Sequence, residues 1–250
     1  MPYKVFEGCF KDFKEEGGDL SFFSEKFFLD KKTASLKNEL NQRKPVYSFT
    51  LAPLVVGLSS KKESGEKFRI LDYGGGVGST YLELEMSMES IEHIEYDIYD
   101  SLISCEGGKK YLPGRKNLKF ISDINSLNQE YDLMHLGSVI QYIEDLKIEI
   151  NQLFKALKQS KPRHILVTDA YVGSKKTYVT RCDYYGYKHP FKIRSWQDLL
   201  DDFSVFGYKL KSKQSFINKV GNKHEFYDMS NMQEDLRIEN TWHLFFELEN

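Results

Sequence analysis

The chain is 250 residues long, with 35 basic and 37 acidic side chains, a formal net charge of -2 and 14% aromatic residues. So even a balance gives no electrostatic case for a nucleic-acid partner, and a chain of this length buries enough apolar surface to stand without disulfides. Three cysteines, Cys9, Cys105 and Cys182, lie far apart and in no CxxC pair, which argues against a disulfide framework or a zinc site and for a reducing compartment. No apolar run reaches the length of a membrane span, and Met1-Pro2-Tyr3-Lys4-Val5-Phe6-Glu7 lacks the apolar core of a signal peptide, so a cytoplasmic protein is expected.

Residues 1–66 are rich in Phe, Lys and Glu at helical spacing without strand alternation, and predict a small N-terminal helical cap. Phe22, Phe23, Phe27 and Phe28 recur at about one-turn intervals and read as a stripe packed on a core. Residues 67–250 then form one domain, in which short apolar runs alternate with helical stretches, the rhythm of an α/β protein with a parallel sheet. Strands are predicted at Phe68 to Tyr73, Ile91 to Ile98, Leu118 to Ile121, Tyr131 to Leu136 and His164 to Thr168. A helix is predicted from Asp145 to Lys158, and the C-terminal end adds two strands, Tyr208 to Phe216 and Trp242 to Leu248. The interval of about 170–196 fits neither pattern and reads as an ordered substrate loop.

The first strand runs into Asp72-Tyr73-Gly74-Gly75-Gly76-Val77-Gly78-Ser79. Glycine takes positive φ and lets a ligand approach the backbone, so Gly74, Gly76 and Gly78 form a floor for a flat, polar cofactor. A dinucleotide fingerprint would want a third glycine where Ser79 stands, and Asp72 would repel a pyrophosphate. S-adenosylmethionine has no phosphate and carries an amino group beside a sulfonium, which suits an acid at the strand end. Asp72 and Ser79 are therefore expected to bind that cofactor.

Ligands of open α/β sheets bind outside the carboxyl ends of the strands. After the second strand, Asp97 is the expected acceptor for the ribose hydroxyls, preferred over Glu95 and Asp100 as the acid at the strand tip. After the fourth stand Gly137, Ser138, Gln141 and Tyr142, with Gln141 and Tyr142 opening the following helix on the substrate side. His135, inside an apolar strand, reads as a hydrogen-bonded core residue rather than a base. Asp169 ends the fifth strand, and the loop beyond supplies Tyr171, Arg181, Tyr187 and His189 for a hydrogen-bonding aromatic wall that could pack a sugar ring. Asp169 and His189 are the candidate general bases, and no spaced carboxylate set demands a metal.

The turn at Asp72 to Gly78 resembles motif I of the class I S-adenosylmethionine-dependent methyltransferases. Leu71 to Tyr81, Leu136 to Asp145 and Tyr187-Lys188-His189-Pro190 together resemble methyltransferases encoded in bacterial surface-polysaccharide (capsule and lipopolysaccharide) gene clusters, over residues 68–200. The resemblance implies a Rossmann-like fold: a mostly parallel seven-stranded sheet with helices on both faces and a hairpin at one edge. It implies S-adenosylhomocysteine as product, Asp123 at the adenine, and Gly137 and Ser138 against the methionine part of the cofactor. The reaction it implies is O-methylation of a sugar or nucleotide-linked sugar precursor in bacterial surface-glycan synthesis. Two alternatives stay open: a small-molecule N- or O-methyltransferase with a non-sugar acceptor, and an inactive partner subunit. Departures are Asp97 in place of an expected glutamate, and Thr168-Asp169-Ala170 in place of a threonine-arginine pair. The cap either closes over the cofactor or forms a homodimer contact.

Overall fold

The computed structural model of the protein describes residues 5–43, 51–63, 65–184, 186–216 and 226–249. In chain order its elements are β1 (Phe6–Phe10), α1 (Phe13–Glu16), α2 (Lys26–Gln42), α3 (Leu51–Ser59), β2 (Phe68–Tyr73), α4 (Ser79–Ser87), β3 (Ile94–Tyr99), α5 (Leu102–Tyr111) and β4 (Leu118–Ile121). They continue with β5 (Leu133–Gly137), α6 (Leu146–Ala156), β6 (His164–Ala170), β7 (Val172–Ser174), β8 (Tyr178–Tyr184), β9 (Tyr187–Ser195), α7 (Trp196–Ser204), β10 (Tyr208–Phe216) and β11 (Thr241–Leu248). Seven strands form a sheet of order β10-β11-β6-β5-β2-β3-β4, and four form a second sheet of order β1-β8-β9-β7. In the first, β2 runs parallel to β3 and β5, β3 runs parallel to β4, and the terminal pair β10 and β11 is antiparallel. The large sheet is mostly parallel, as expected from the alternating pattern. No helix among the described residues is long and apolar enough to cross a membrane.

The chain divides into two compact units. The glycine-turn unit comprises Phe23–Gly137 and Gln152–Ile165. Its strands are short and apolar because both sheet faces are covered: Ile70, Leu71, Ile94, Tyr96, Ile98, Leu133 and Met134 are all fully buried. Each such side chain contributes roughly 1.5–3 kcal/mol on burial. α2 packs on α5, where Gly107 has no Cβ to collide with Leu29 Cδ1, 2.6 Å from the place a Cβ would take.

The aromatic unit comprises the chain up to Phe22, Ser138–Asn151 and Leu166 onward. The expected 1–66 cap is thus shared between the units. This unit's core holds Phe6, Tyr171, Tyr178, Phe191, Ile193, Met229, Met232 and Leu236. Tyr171 packs edge-on against Phe191 at 4.7 Å, and Phe6 lies 5.1 Å from Phe191.

Three expectations need correction. The N-terminal segment contains a strand: β1 pairs antiparallel with β8, Phe6 opposite Cys182, and only its first residue is buried, so it carries no apolar alternation. The supposed loop at 170–196 is three strands, β7 to β9; β8 and β9 pair from Tyr178 opposite Ile193 down to Tyr184 opposite Tyr187. Gly173, Gly186 and Pro190 punctuate that tract, and Pro190 sits inside β9, which hides the strand pattern. Tyr185 lies outside the described residues. Finally, β3 starts at Ile94 and not at Ile91, because it runs in register with β2, Phe68 opposite Ile94 and Tyr73 opposite Tyr99.

Candidate functional site

In the glycine-turn unit β2 and β3 end together, and their next residues meet. Gly74 N–H donates to Tyr99 O at 2.8 Å, and Gly76 N–H donates to Asp100 Oδ2 at 2.8 Å. Gly74, Gly76 and Gly78 have φ of 76°, 60° and 97°, a region L side chains rarely adopt. A Cβ on Gly78 would come within 2.7 Å of Leu112 Cδ1, so this glycine is also required for packing at the start of α4. A Cβ on Gly76 would meet nothing within 4 Å, so the turn is open above it.

Asp72 does not lie on that open surface. It is fully buried, with Oδ2 accepting from Tyr96 OH at 2.8 Å and Oδ1 paired with His135 Nδ1 at 2.9 Å. A carboxylate only accepts, so His135 carries the proton on Nδ1. The pairing follows from register, since Asp72 stands directly opposite His135 in the parallel pair β2/β5. The carboxylate lies under the turn, where a Cβ on Gly75 would come within 2.5 Å of Asp72 Oδ2. His135 similarly lies under Gly137, its Cε1 2.6 Å from where a Cβ would stand. The motif acid thus supports the turn from beneath.

Asp97 is not the strand tip. It is the fourth of six residues in β3, nearly buried, and its Oδ2 accepts from Gln129 Nε2 at 2.7 Å and Tyr131 OH at 2.8 Å. Burial raises its carboxyl above the ordinary range, opposed by the Tyr131 hydrogen bond. Asp100 is the acid that directly follows β3, with Oδ1 accepting from Ser101 N–H and Oδ2 from the glycine turn. The sequence signal for it is Ser101, whose side chain caps α5 and so marks the strand's end just before. Asp123 is exposed and caps a single 3-10 turn at Ile124–Ser126, its Oδ1 accepting from Asn125 N–H at 3.0 Å.

α2 brings two further charges to this turn that the sequence pattern did not single out. Glu39, 1% exposed, accepts from Ser79 Oγ at the first residue of α4 at 3.4 Å, and from Ser35 Oγ. A helix N-terminus after a glycine turn is where a pyrophosphate would bind, and here a buried carboxylate already stands there. Lys32 lies within electrostatic reach of Asp100 and Glu39, while burial pushes its ammonium below the usual range. Two acids and an open glycine floor fit an adenosyl group with cationic substituents and disfavour a dinucleotide. A separate cleft of about 530 Å³ follows the outer strand β4, lined by Asp97, Lys109, Leu112, Lys119, Phe120 and Asn128; it includes no glycine of the turn.

Among the described residues of the aromatic unit, two non-glycine residues adopt left-handed backbone, Ser138 at φ 49° and Asp169 at φ 53°. They bond to each other, Ser138 Oγ donating to Asp169 Oδ2, and Ser138 N–H donates to Thr168 O at 3.0 Å. Asp169 N–H donates to His243 Nδ1 at 3.3 Å. Asp169 is 5% exposed and its Oδ1 is buried without a partner. Burial pushes its carboxyl up to about 6, against the Ser138 hydrogen bond that lowers it; the nearby Thr241 hydroxyl donates to Phe216 O at 3.1 Å. Backbone strain, burial and an unpaired acceptor atom together make Asp169 a candidate functional position.

The Tyr171 hydroxyl is pushed well above its usual range, by burial first and then by Asp169, Tyr227 and Tyr142. Tyr142 packs 5.7 Å from His189 and 5.5 Å from Phe191. Its segment is fixed by Arg194, which is 1% exposed and donates through Nη1 to Ile140 O and through Nη2 to Ile143 O, both at 2.7 Å. Gln141 in that segment keeps a buried Oε1 without a partner. His189 is buried, its Nδ1 3.3 Å from Tyr187 O and its ring 4.6 Å from Phe22; burial lowers its pKa. Tyr187 stacks on Phe22 at 5.8 Å. Arg181 is held by Glu16, Nε on the carboxylate and Nη2 on the Glu16 carbonyl at 2.9 Å. Arg194 and His243 were not foreseen as site residues, because each acts through a partner distant in sequence.

No protein-family model matches the sequence, and no curated protein matches it. Solved structures do. Magnesium protoporphyrin IX methyltransferase (ChlM) from Synechocystis PCC 6803 with bound S-adenosylmethionine is 13% identical, with 92% of this chain and 94% of that chain covered and a TM-score of 0.52. An S-adenosylmethionine-dependent methyltransferase from Clostridium acetobutylicum ATCC 824 is 11% identical over 88% of this chain and 99% of that chain, with a TM-score of 0.53. This chain has a methyltransferase fold. A pericyclic reaction enzyme shares it at 12% identity and a TM-score of 0.52, although this chain covers only 49% of that longer one. The methyltransferase fold therefore hosts more than one chemistry, and the reaction must be argued from the site.

Proposed function

We propose that this protein is an S-adenosylmethionine-dependent methyltransferase acting on a hydroxyl group of a small acceptor. The main support is the glycine turn: three glycines at positive φ, open above Gly76, with Asp100 bound to its backbone and Glu39 at the start of α4. In this reading Gly74, Gly76 and Gly78 take the cofactor and Asp100 accepts from its ribose. Asp123, through Oδ2, and Gly137 complete the cofactor contacts, and Ser79 assists at the start of α4; Asp97, bonded to Gln129 and Tyr131, makes no contact in this reading. Asp72 supports the turn without touching the ligand.

S-adenosylmethionine supplies an electrophilic methyl group, which the acceptor oxygen takes by in-line displacement to leave S-adenosylhomocysteine. Holding the acceptor in a near-attack geometry supplies on the order of 7–11 kcal/mol. Asp169, ionised above a value of about 6, takes the acceptor's proton through its unpartnered Oδ1; such a base contributes roughly 10²–10⁴-fold. Tyr142, Tyr171 and His189 supply acceptor contacts, with Tyr187 and Arg181 holding the wall they belong to. A sugar or nucleotide-linked sugar is the acceptor class we put first, in keeping with the resemblance to surface-glycan methyltransferases. Methyl-labelled S-adenosylmethionine incubated with panels of nucleotide sugars, phenols and amines tests this. Labelled product from a nucleotide sugar supports the full reading, and labelled product from a phenol or amine alone replaces the sugar. Cofactor binding without methyl transfer to any panel would favour a non-methylating use of the fold.

A further inference from the structure

Asp169 has two carboxylate oxygens in different circumstances. Oδ2 accepts from Ser138 Oγ, and Oδ1 is buried with no partner. The backbone around both residues is fixed at unusual cost: each is a non-glycine residue at positive φ, and each N–H is committed, Ser138 N–H to Thr168 O and Asp169 N–H to His243 Nδ1. Left-handed conformations at residues with a Cβ cost of order 1–2 kcal/mol, and they persist where surrounding contacts over-determine them. In that fixed backbone the carboxylate has one oxygen pinned and the other buried and unpaired.

We propose that Ser138 is a positioning residue for proton transfer: its hydroxyl pins Oδ2 of Asp169 and leaves Oδ1 as the atom that receives the acceptor's proton. This rests on the proposed function and departs from the expectation that Ser138 binds the cofactor, since its single hydroxyl proton is committed to Asp169. In the step, the acceptor O–H bond breaks and its proton forms an O–H bond with Oδ1. The acceptor oxygen forms the bond to the methyl carbon, the sulfonium carbon–sulfur bond breaks, and its electron pair stays on sulfur. Asp169 ends neutral and returns its proton to solvent after product leaves.

Ser138 also sets when Asp169 can act. Its hydrogen bond favours the ionised form against the burial that opposes it. The other groups within reach of Asp169 are Thr241 and His243 from β11 and the hydroxyl of Tyr171; His243 is neutral where its Nδ1 accepts an N–H, and Tyr171 stays protonated. Removing the Ser138 hydroxyl should therefore raise the titration midpoint of Asp169 by about one pH unit, the equivalent of one hydrogen bond to a charged group.

The test is an NMR titration of the Asp169 carboxyl carbon in aspartate-labelled full-length protein, assigned by the signal lost in Asp169→Asn. Expected is a midpoint near 6 in the wild type and a higher midpoint in both Ser138→Ala and Ser138→Gly. Glycine tolerates positive φ, so the second variant answers if the first does not fold. An unmoved midpoint in the folded variants overturns the proposal. The titration needs neither cofactor nor acceptor, so its failure is separate from a failure of methyl transfer. Where transfer is observed, the acid limb of its pH–rate profile should move with the NMR midpoint; a limb that stays in place also overturns the proposal.

Discussion

Asp72→Ala separates a carboxylate that binds a ligand from one that holds up the turn on which the ligand lies. In the folded protein both oxygens are engaged, Oδ2 by Tyr96 OH at 2.8 Å and Oδ1 by His135 Nδ1 at 2.9 Å, with Tyr96 and His135 themselves fully buried. The substitution strands two buried donors at roughly 1–3 kcal/mol each, so a loss of about 4 kcal/mol is expected. That is a large share of the roughly 5–15 kcal/mol a domain possesses. Asp72→Asn keeps a carbonyl oxygen for one donor and should lose about half as much. Urea unfolding of the three proteins measures this, the midpoint falling with an unchanged m-value. If Asp72→Ala unfolds within about 1 kcal/mol of wild type while losing cofactor affinity, Asp72 is a direct ligand and the reasoning is refuted.

Gly78→Ala forces a Cβ to within 2.7 Å of Leu112 Cδ1 at φ 97°; about 2–5 kcal/mol of destabilisation, summed from left-handed strain and overpacking, should appear in thermal unfolding together with lost cofactor binding. Asp100→Ala should weaken S-adenosylmethionine binding about tenfold or more, by the loss of a charged acceptor, and Asp97→Asn should leave affinity nearly unchanged in the same calorimetric titration. Arg181→Ala leaves the Glu16 carboxylate, only 1% exposed, without its guanidinium; about 2–4 kcal/mol of stability should be lost, reduced for the partly exposed arginine, with no change in acceptor KM. Asp169 has a folded pKa raised from 3.8 to about 6, so its contribution to stability is complete below the unfolded value and is lost as pH rises through about 6. Relative to wild type, Asp169→Asn should gain up to roughly 3 kcal/mol between pH 4 and pH 7, while methyl transfer falls away.

The parts of this fold legible in the sequence are those fixed by local chemistry. Glycines at alternate positions after an apolar run announce a turn, and the turn appears with all three of them at positive φ. The apolar runs around Phe68, Leu118, Leu133 and His164 become β2, β4, β5 and β6 within a few residues. What was not legible depended on partners far along the chain. Asp97 was favoured over Asp100 because local alternation was read as making it the strand tip, whereas β3 in register with β2 runs on to Tyr99 and buries Asp97. Asp72 was expected to meet a ligand because its partners, Tyr96 and His135, come from β3 and β5 and no spacing rule links them to it. Arg181 was read only as part of the acceptor wall because its partner Glu16 lies 165 residues away. The strands of residues 172–195 were masked by Pro190 and two glycines, and β1 by its single buried residue. Asp169 was singled out from its place at a strand end; its strained backbone and its bond to Ser138 were visible only in the fold.

Calorimetric titration of the full chain with S-adenosylmethionine and S-adenosylhomocysteine, with NAD and NADP as controls, tests the central claim most directly. The account expects one adenosyl ligand bound per chain, weakened in Asp100→Ala, and no heat from either dinucleotide. Binding of a dinucleotide, or no binding of either adenosyl ligand, would contradict it.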